Sequence, residues 1–372
     1  VVDEARHRPL RQLINATEEK NRISTFCSAP HDPSNDSKGY PQRARAAPSA
    51  PPRRVGVSPV AGHGRRAEEA TGVTDWDTQV LRSLLFAPGN HPRRLEKVGT
   101  FGSDAIVLDL EDAVADAEKS AARELVRAAL PTYDAETVVV VRVNGEETGR
   151  LEDDLRAVVC GDLDCVMVPK VERPETLPRV DTLLAGLERE QSLPQGSIRI
   201  LALIETARGL VRCEEIAAAA PPRLLTLIFG LGDFSVDIGV DITQTGDELL
   251  YGRSRVVVAA RAAGLPSPLD GPYLDIPNLE GLDEDCRRSR GLGFQGRVVI
   301  YPAHVEPVQR AYSDLSDEEA ERCRRVVEAF EEAEAAGSAS IQVDGRFVDY
   351  PLYHRARQKL LLYEAGRAER AS

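Results

Sequence analysis

From Leu81 onward, short runs rich in Val, Ile and Leu alternate with amphipathic stretches of roughly ten to fifteen residues, the rhythm of repeated βα units around a parallel sheet. The apolar runs at 82–88 (RSLLFAP), 104–110 (DAIVLDL), 137–143 (TVVVVRV), 164–170 (DCVMVPK), 198–205 (IRILALIE), 224–230 (LLTLIFG), 267–274 (SPLDGPYL) and 296–302 (GRVVIYP) predict eight strands. Helices are predicted between them over 117–130, 176–189, 209–219, 253–263 and 279–289. Eight strands separated by helices point to a closed (β/α)8 TIM barrel, an α/β fold, rather than an open sheet. After the eighth unit the pattern changes to a charged helix over 316–336, a hairpin around Asp344-Gly345 and a last helix from Pro351 to about Gly366. The expected domains are a catalytic barrel over 79–312 and a C-terminal helical and hairpin lid segment over 313–372.

Residues 1–78 break the rhythm. They mix Pro, Ser, Arg, Asn and Gly with few large apolar residues, a composition expected to stay disordered because it buries too little to offset its ordering entropy. This extension lacks the apolar centre of a secretory signal, and it reads either as a transit peptide or as an upstream extension from a misplaced start site. The net charge of −13 argues against a nucleic-acid partner, and no run reaches the ~18 apolar residues of a membrane span. Hydrophobic residues at 42% and charged residues at 29% fit a globular enzyme, with a cytoplasmic location expected. The six cysteines show no CxxC pair, so Cys160 and Cys165 are read as buried thiols rather than a disulfide. Three of the six histidines fall in the N-terminal extension, leaving His91, His304 and His354, which does not favour a His-centred mechanism.

In a (β/α)8 barrel the chemistry sits at the C-terminal ends of the strands. That rule selects Glu111 and Asp112 after the second strand, Arg142 and Asn144 at the third, Lys170 and Glu172 at the fourth, Glu205 at the fifth and Asp233 after the sixth. Glu205 and Asp233, from adjacent strand ends, suit a hard cation such as Mg2+; alternatively each caps the helix that follows. Arg142 closes an apolar strand and needs an anion, either Glu111 or Asp112 or a substrate carboxylate bound bidentately. Arg93, Arg94 and Lys97 stand at the first helix, either as a site for phosphate groups or as a solvated face.

The blocks RSLLFAPGNHPRRLEK, LDLEDAV, VVRVNG, VPKVE, LIETARGL and FGLGDFSVDIG, in this order, resemble the citrate lyase beta-subunit-like family, which includes malyl-CoA and citramalyl-CoA lyases. The resemblance runs from about Arg82 to Arg357. It implies Mg2+ held by Glu205 and Asp233, with Asp237 the alternative within the second block. It also implies Arg142 as the clamp on the substrate carboxylate, with Glu111 and Asp112 as partners of metal-bound water. The family's C-terminal segment often covers a neighbouring subunit's site and carries an Asp in a D-x-P context, matching Asp349, which otherwise reads as the cap of the last helix. One stretch departs from the pattern: GFQGRVVIYP has Arg297 and Tyr301 where many relatives have Lys and His, so the CoA or acyl-carrier end of the pocket is expected to differ.

The implied activity is a Mg2+-dependent carbon–carbon lyase acting on a 3-hydroxyacyl-CoA thioester such as malyl-, citramalyl- or citryl-CoA. Arg142, Glu111, Asp112 and Asp349 are expected in catalysis, and Arg142, Arg94, Lys97 and Lys170 in binding the CoA-thioester or 2-oxo acid. A homo-oligomer, trimer or hexamer, with lids exchanged between subunits is implied. Two alternatives stand beside it: a CoA-independent class II pyruvate aldolase of the same superfamily, and a non-catalytic subunit that binds acyl carriers.

Overall fold

A computed structural model describes Trp76 and residues 79–134 and 136–371, with side chains to residue 367. Of residues 1–78, expected to be disordered, only Trp76 is described, so that expectation, with Cys27 and three of the histidines, lies outside the described residues. Trp76 packs against the apolar interior of the barrel.

Eight strands, all parallel to their neighbours, close in sequence order into the expected barrel. They are β1 (Ser83–Pro88), β2 (Ala105–Asp109), β3 (Val138–Arg142), β4 (Cys165–Val168), β5 (Arg199–Ile204), β6 (Leu224–Phe229), β7 (Leu269–Asp270) and β8 (Gly296–Val299). The seventh run, expected over 267–274, contracts to two residues because Pro268 and Pro272 flank it and supply no ladder N–H. The helices of the outer ring are α1 (Pro92–Val98), α2 (Lys119–Ala129), α3 (Leu151–Val158), α4 (Thr176–Glu190), α5 (Ala207–Val211), α6 (Cys213–Ala218), α7 (Leu231–Ile238), α8 (Leu250–Ala262), α9 (Leu279–Leu292) and α10 (Val305–Ser313). The single helix expected over 209–219 is two short ones, since the chain breaks at Arg212.

Alternate residues of each strand divide between two cores, as the period of two requires. Leu84, Val107, Val140, Met167, Leu201, Leu203 and Ile228 fill the barrel, while Leu85, Ile106, Val141, Val166, Ile200 and Leu227 pack outward against the helices. The barrel closes where β8 crosses β1: a Cβ at Gly296 would lie 2.0 Å from the carbonyl oxygen of Leu81, so only glycine fits this seam. The described cysteines, Cys160, Cys165, Cys213, Cys286 and Cys323, are free and buried, as expected for thiols in a core.

The C-terminal segment is α11 (Asp317–Ala335), a hairpin of β9 (Ser340–Val343) and β10 (Arg346–Asp349), and α12 (Tyr350–Ala371). Asp344 and Gly345 both take positive φ, 50° and 74°, which gives the two-residue turn that matches strand twist. Phe330 stacks on Tyr353 and joins Val348 in a small core of its own. The far end of α12 returns to the start of β1: a Cβ at Gly366 would touch Ser313 and the Arg82 guanidinium.

Candidate active site

The register of β2 against β3 sets Asp109 directly beside Arg142, both pointing into the barrel mouth. The Arg142 guanidinium donates from Nε and Nη2 to the two Asp109 oxygens, each at 2.7 Å, and its Nη1 lies 2.9 Å from Glu111 Oε2. Its face covers the Phe86 ring at 5.0 Å. The anion that a strand-end arginine requires is therefore supplied first by Asp109, a residue that strand-end reasoning passed over in favour of Glu111 and Asp112. The signal was present in the period of two, because Ala105, Val107 and Asp109 alternate toward the interior. Asp109 also accepts the backbone N–H groups of Glu111 and Ala113, which turns the chain so that the Glu111 side chain enters the mouth.

The same turn is held from below. Lys119 donates to the Leu110 and Glu111 carbonyls at 2.7 Å, and Asn144 donates to the Leu110 carbonyl and to Asp154. Asp154 is in turn paired with Arg123. Asn144 thus supports the site without entering it.

Lys170 reaches into the mouth from the end of β4. Its ammonium lies 2.5 Å from Glu111 Oε1, 3.1 Å from Asp112 Oδ2 and 3.2 Å from Asp233 Oδ2, and its backbone N–H donates to Glu205 Oε1 at 2.9 Å. Lys170 sits at φ 48°, a left-handed conformation that an ordinary side chain rarely takes. Glu172, beyond it, turns away to Arg208.

Glu205 is 3% exposed, and Gly230 makes room for it: a Cβ there would lie 2.4 Å from Glu205 Cβ and Oε2. The helix-cap alternative for Glu205 does not hold, since Thr206 caps α5 by accepting from Gly209 and Asp237 accepts the Ala207 N–H. That engagement also takes Asp237 away from Asp233. Asp233 occupies the first turn of α7, whose N-cap is Gly230, and its carboxylate faces the mouth at 41% side-chain exposure.

Burial, aided by repulsion from Glu111 and Asp233, pushes the Glu205 carboxyl up to about 8. Burial likewise raises Glu111 against the pull of Arg142 and Lys170. Burial lifts Asp112 too, but hydrogen bonding and attraction from Lys170 outweigh it and the net direction is down. Lys170 is held firmly protonated, because its carboxylate partners outweigh its own desolvation. The mouth is an all-oxygen, carboxylate-rich cradle, the donor chemistry of a hard divalent cation. Among the described residues no three His, Cys, Asp or Glu side chains form a closed metal cage. The buried carboxylate of Glu205 and the half-exposed one of Asp233 suit an ion that keeps water and substrate among its ligands.

The remaining expected residues lie elsewhere. Arg94 and Lys97 stand exposed on α1, with no ion pair among the described residues. Asp349 ends β10 and accepts the Leu352 N–H at 3.3 Å, the geometry of a cap on the last helix, rather than reaching the mouth. Arg297, expected at the acyl-carrier end of the pocket, is instead fully buried between the barrel wall and α9, donating to the Gly271 carbonyl and to Asp285. Its inward neighbour in β8 is Val298, so position 297 faces the helices and cannot line the mouth. Tyr301 is exposed after β8, edge-on to His304 at 5.7 Å, and His304 is spent on the Ile276 carbonyl.

Comparison with known proteins identifies the family. The HpcH/HpaI aldolase/citrate lyase family model matches residues 82–302. The citrate lyase subunit beta of Leuconostoc mesenteroides subsp. cremoris is 35% identical over 77% of this chain and 95% of its own length. The (3S)-malyl-CoA thioesterase of Cereibacter sphaeroides is 37% identical over 78% of this chain and 98% of its own. The crystal structure of CitE from Mycobacterium tuberculosis in complex with magnesium, acetoacetate and coenzyme A superimposes with a TM-score of 0.60 at 31% identity, covering 77% of this chain and 99% of that one. The closed barrel, the acidic mouth and these matches together make the chain a member of the HpcH/HpaI aldolase/citrate lyase family.

Proposed function

We propose that this chain is a Mg2+-dependent carbon–carbon lyase that cleaves, or in reverse forms, a 3-hydroxyacyl-CoA thioester of the malyl, citramalyl or citryl type, giving an acyl-CoA and a 2-oxo acid. The observation that carries the reading is the buried Glu205 carboxylate beside Asp233, in a mouth with more carboxylates than cations. The relatives named for citrate lyase and malyl-CoA, and the CitE complex with magnesium and coenzyme A, support it. Glu205 and Asp233 would hold Mg2+, which supplies Lewis-acid polarisation of the substrate oxygens.

Cleavage removes the hydroxyl proton as that carbon becomes a carbonyl, and the electrons of the breaking C–C bond pass to the thioester fragment, which then takes up a proton. Arg142, locked by Asp109 and Phe86, would fix the carboxylate of the 2-oxo acid portion and so orient the breaking bond. Asp112, at the solvent edge of the mouth, and the buried Glu111 beside it would receive the proton directly or through water. Arg94 and Lys97 on α1 suit the phosphates of CoA.

The C-terminal segment is assigned to a neighbouring subunit's mouth in a trimer or hexamer, where Asp349 would act. Mixing Asp349→Ala and Glu205→Ala protomers then restores a fraction of the activity that each lacks alone. Failure to complement removes Asp349 from the site.

The 37% identity to a thioesterase favours one second reading, hydrolysis of the same thioester. Incubation with malyl-, citramalyl- and citryl-CoA and Mg2+ separates the two. A 2-oxo acid with acyl-CoA identifies the lyase, whereas a free hydroxy acid with CoA identifies the hydrolase. Turnover of a free hydroxy-oxo acid without any thioester makes it a pyruvate aldolase, and Mg2+ and CoA binding with no turnover makes it a carrier-binding subunit.

A further inference from the structure

Lys170 is one of three non-glycine residues with positive φ among the described residues, and the others, Ser192 and Asp344, lie in turns after α4 and between β9 and β10. A left-handed lysine is sterically disfavoured and persists only where its surroundings hold it. Here the conformation lets one residue serve four carboxylates. Its N–H aims at Glu205, while its side chain sends the ammonium to Glu111, Asp112 and Asp233. The Lys170 side chain is 29% exposed and its stem is flexible, so the ammonium can move without unpacking the barrel.

We propose that Lys170 is a built-in counter-cation of the mouth, seated against the Asp233 oxygen that Mg2+ needs, so that Mg2+ binds by displacing its ammonium from Asp233; this rests on the magnesium reading above. Two cations do not share one carboxylate oxygen cheaply. At the spacings of this cluster, like charges repel strongly even with substantial dielectric screening. Glu111 and Asp112 still hold Lys170 after it leaves Asp233, so the displacement is short and reversible. The device keeps the acidic mouth neutral enough to stay folded without metal, and it makes Mg2+ affinity a difference between two cations rather than the full attraction of the carboxylates.

The test is calorimetric titration of Mg2+ into the wild type, Lys170→Asn and Lys170→Arg, with melting temperatures measured in chelator and in Mg2+. Asparagine tolerates left-handed backbone, and Lys170→Gly repeats the measurement should Asn fail to fold. Lys170→Asn is expected to bind Mg2+ at least ten-fold more tightly than wild type, to melt earlier in chelator, and to gain more from Mg2+. Lys170→Arg keeps the charge and stays near the wild-type affinity. An unchanged or weaker Kd in the Asn or Gly variant, with wild-type binding intact, overturns the inference and leaves the magnesium reading standing. Absence of Mg2+ binding in wild type and variants alike overturns the magnesium reading and this inference with it.

Discussion

Arg253 and Arg297, packed between the barrel wall and α8 and α9, meet Asp270 and Asp285 one for one, whereas at the mouth Arg142 and Lys170 face Asp109, Glu111, Asp112, Glu205 and Asp233. In the first cluster Arg253 forks onto both Asp285 oxygens at 2.9 Å and reaches Asp270 at 3.0 Å, while Arg297 adds Asp285 and the Gly271 carbonyl. Its charges cancel, and its arginines are buried. At the mouth five carboxylates face two cations, a formal surplus of three negative charges, or two while Glu205 keeps its proton. Ion clusters that cancel internally hold structure; one that leaves a surplus in an open concave site is built to receive a cation. Burial alone does not separate the two cases, because both contain deeply buried charges.

The sharpest break of this comparison is Glu205→Gln. It should abolish lyase activity, a loss beyond a thousand-fold or about 4 kcal/mol of barrier, while leaving the metal-free protein at pH 8 as stable as before or more so. A drop in melting temperature instead would place Glu205 among structural charges. Arg253→Met should do the reverse. Leaving Asp270 and Asp285 short of a partner should cost about 3–5 kcal/mol in urea denaturation, with the activity of the folded fraction nearly unchanged. Gly230→Ala sits between them, since the new Cβ collides with Glu205. A stability cost of about 1–3 kcal/mol is expected, together with a weaker calorimetric Mg2+ affinity.

The smallest effect is in pH. Glu205 is raised from an ordinary carboxylate to about 8, so the folded metal-free protein binds a proton that the unfolded chain releases. Its contribution to stability is full below pH 4.5 and is lost as pH rises through 8. Mg2+ needs the ionised carboxylate, so its apparent affinity should climb with pH up to about 8 and level off, with proton uptake by the buffer at pH 7. A pH-independent Mg2+ affinity between 6 and 8 would remove Glu205 from the ligand set.

Much of this was legible from residue order. The alternation of apolar runs and amphipathic helices foretold the barrel, and of the residues the strand-end rule selected, Glu111, Asp112, Arg142, Lys170, Glu205 and Asp233 meet at one mouth, whereas Asn144 supports it from below and Glu172 turns away. Asp109 escaped because the eye follows a strand to its last polar residue, while its role comes from strand register. Arg297 was misplaced because its position within a motif says nothing about which face of β8 it occupies. The short β7 was overdrawn because prolines on either side cut its ladder.

Hydrophobic periodicity is local, and it determined the strands, the helices and hence the end of the barrel where the chemistry gathers. Pairing across strands is not local. Only the closed barrel decided that Asp109 belongs to Arg142, that Thr206 and Asp237 rather than Glu205 serve α5, that Gly230 yields its space to Glu205, and that a left-handed Lys170 stands among the acids. Those choices depend on register, on the face to which each side chain turns, and on charges brought together from 60 or more residues apart, such as Glu111 and Asp233, which no window along the chain contains.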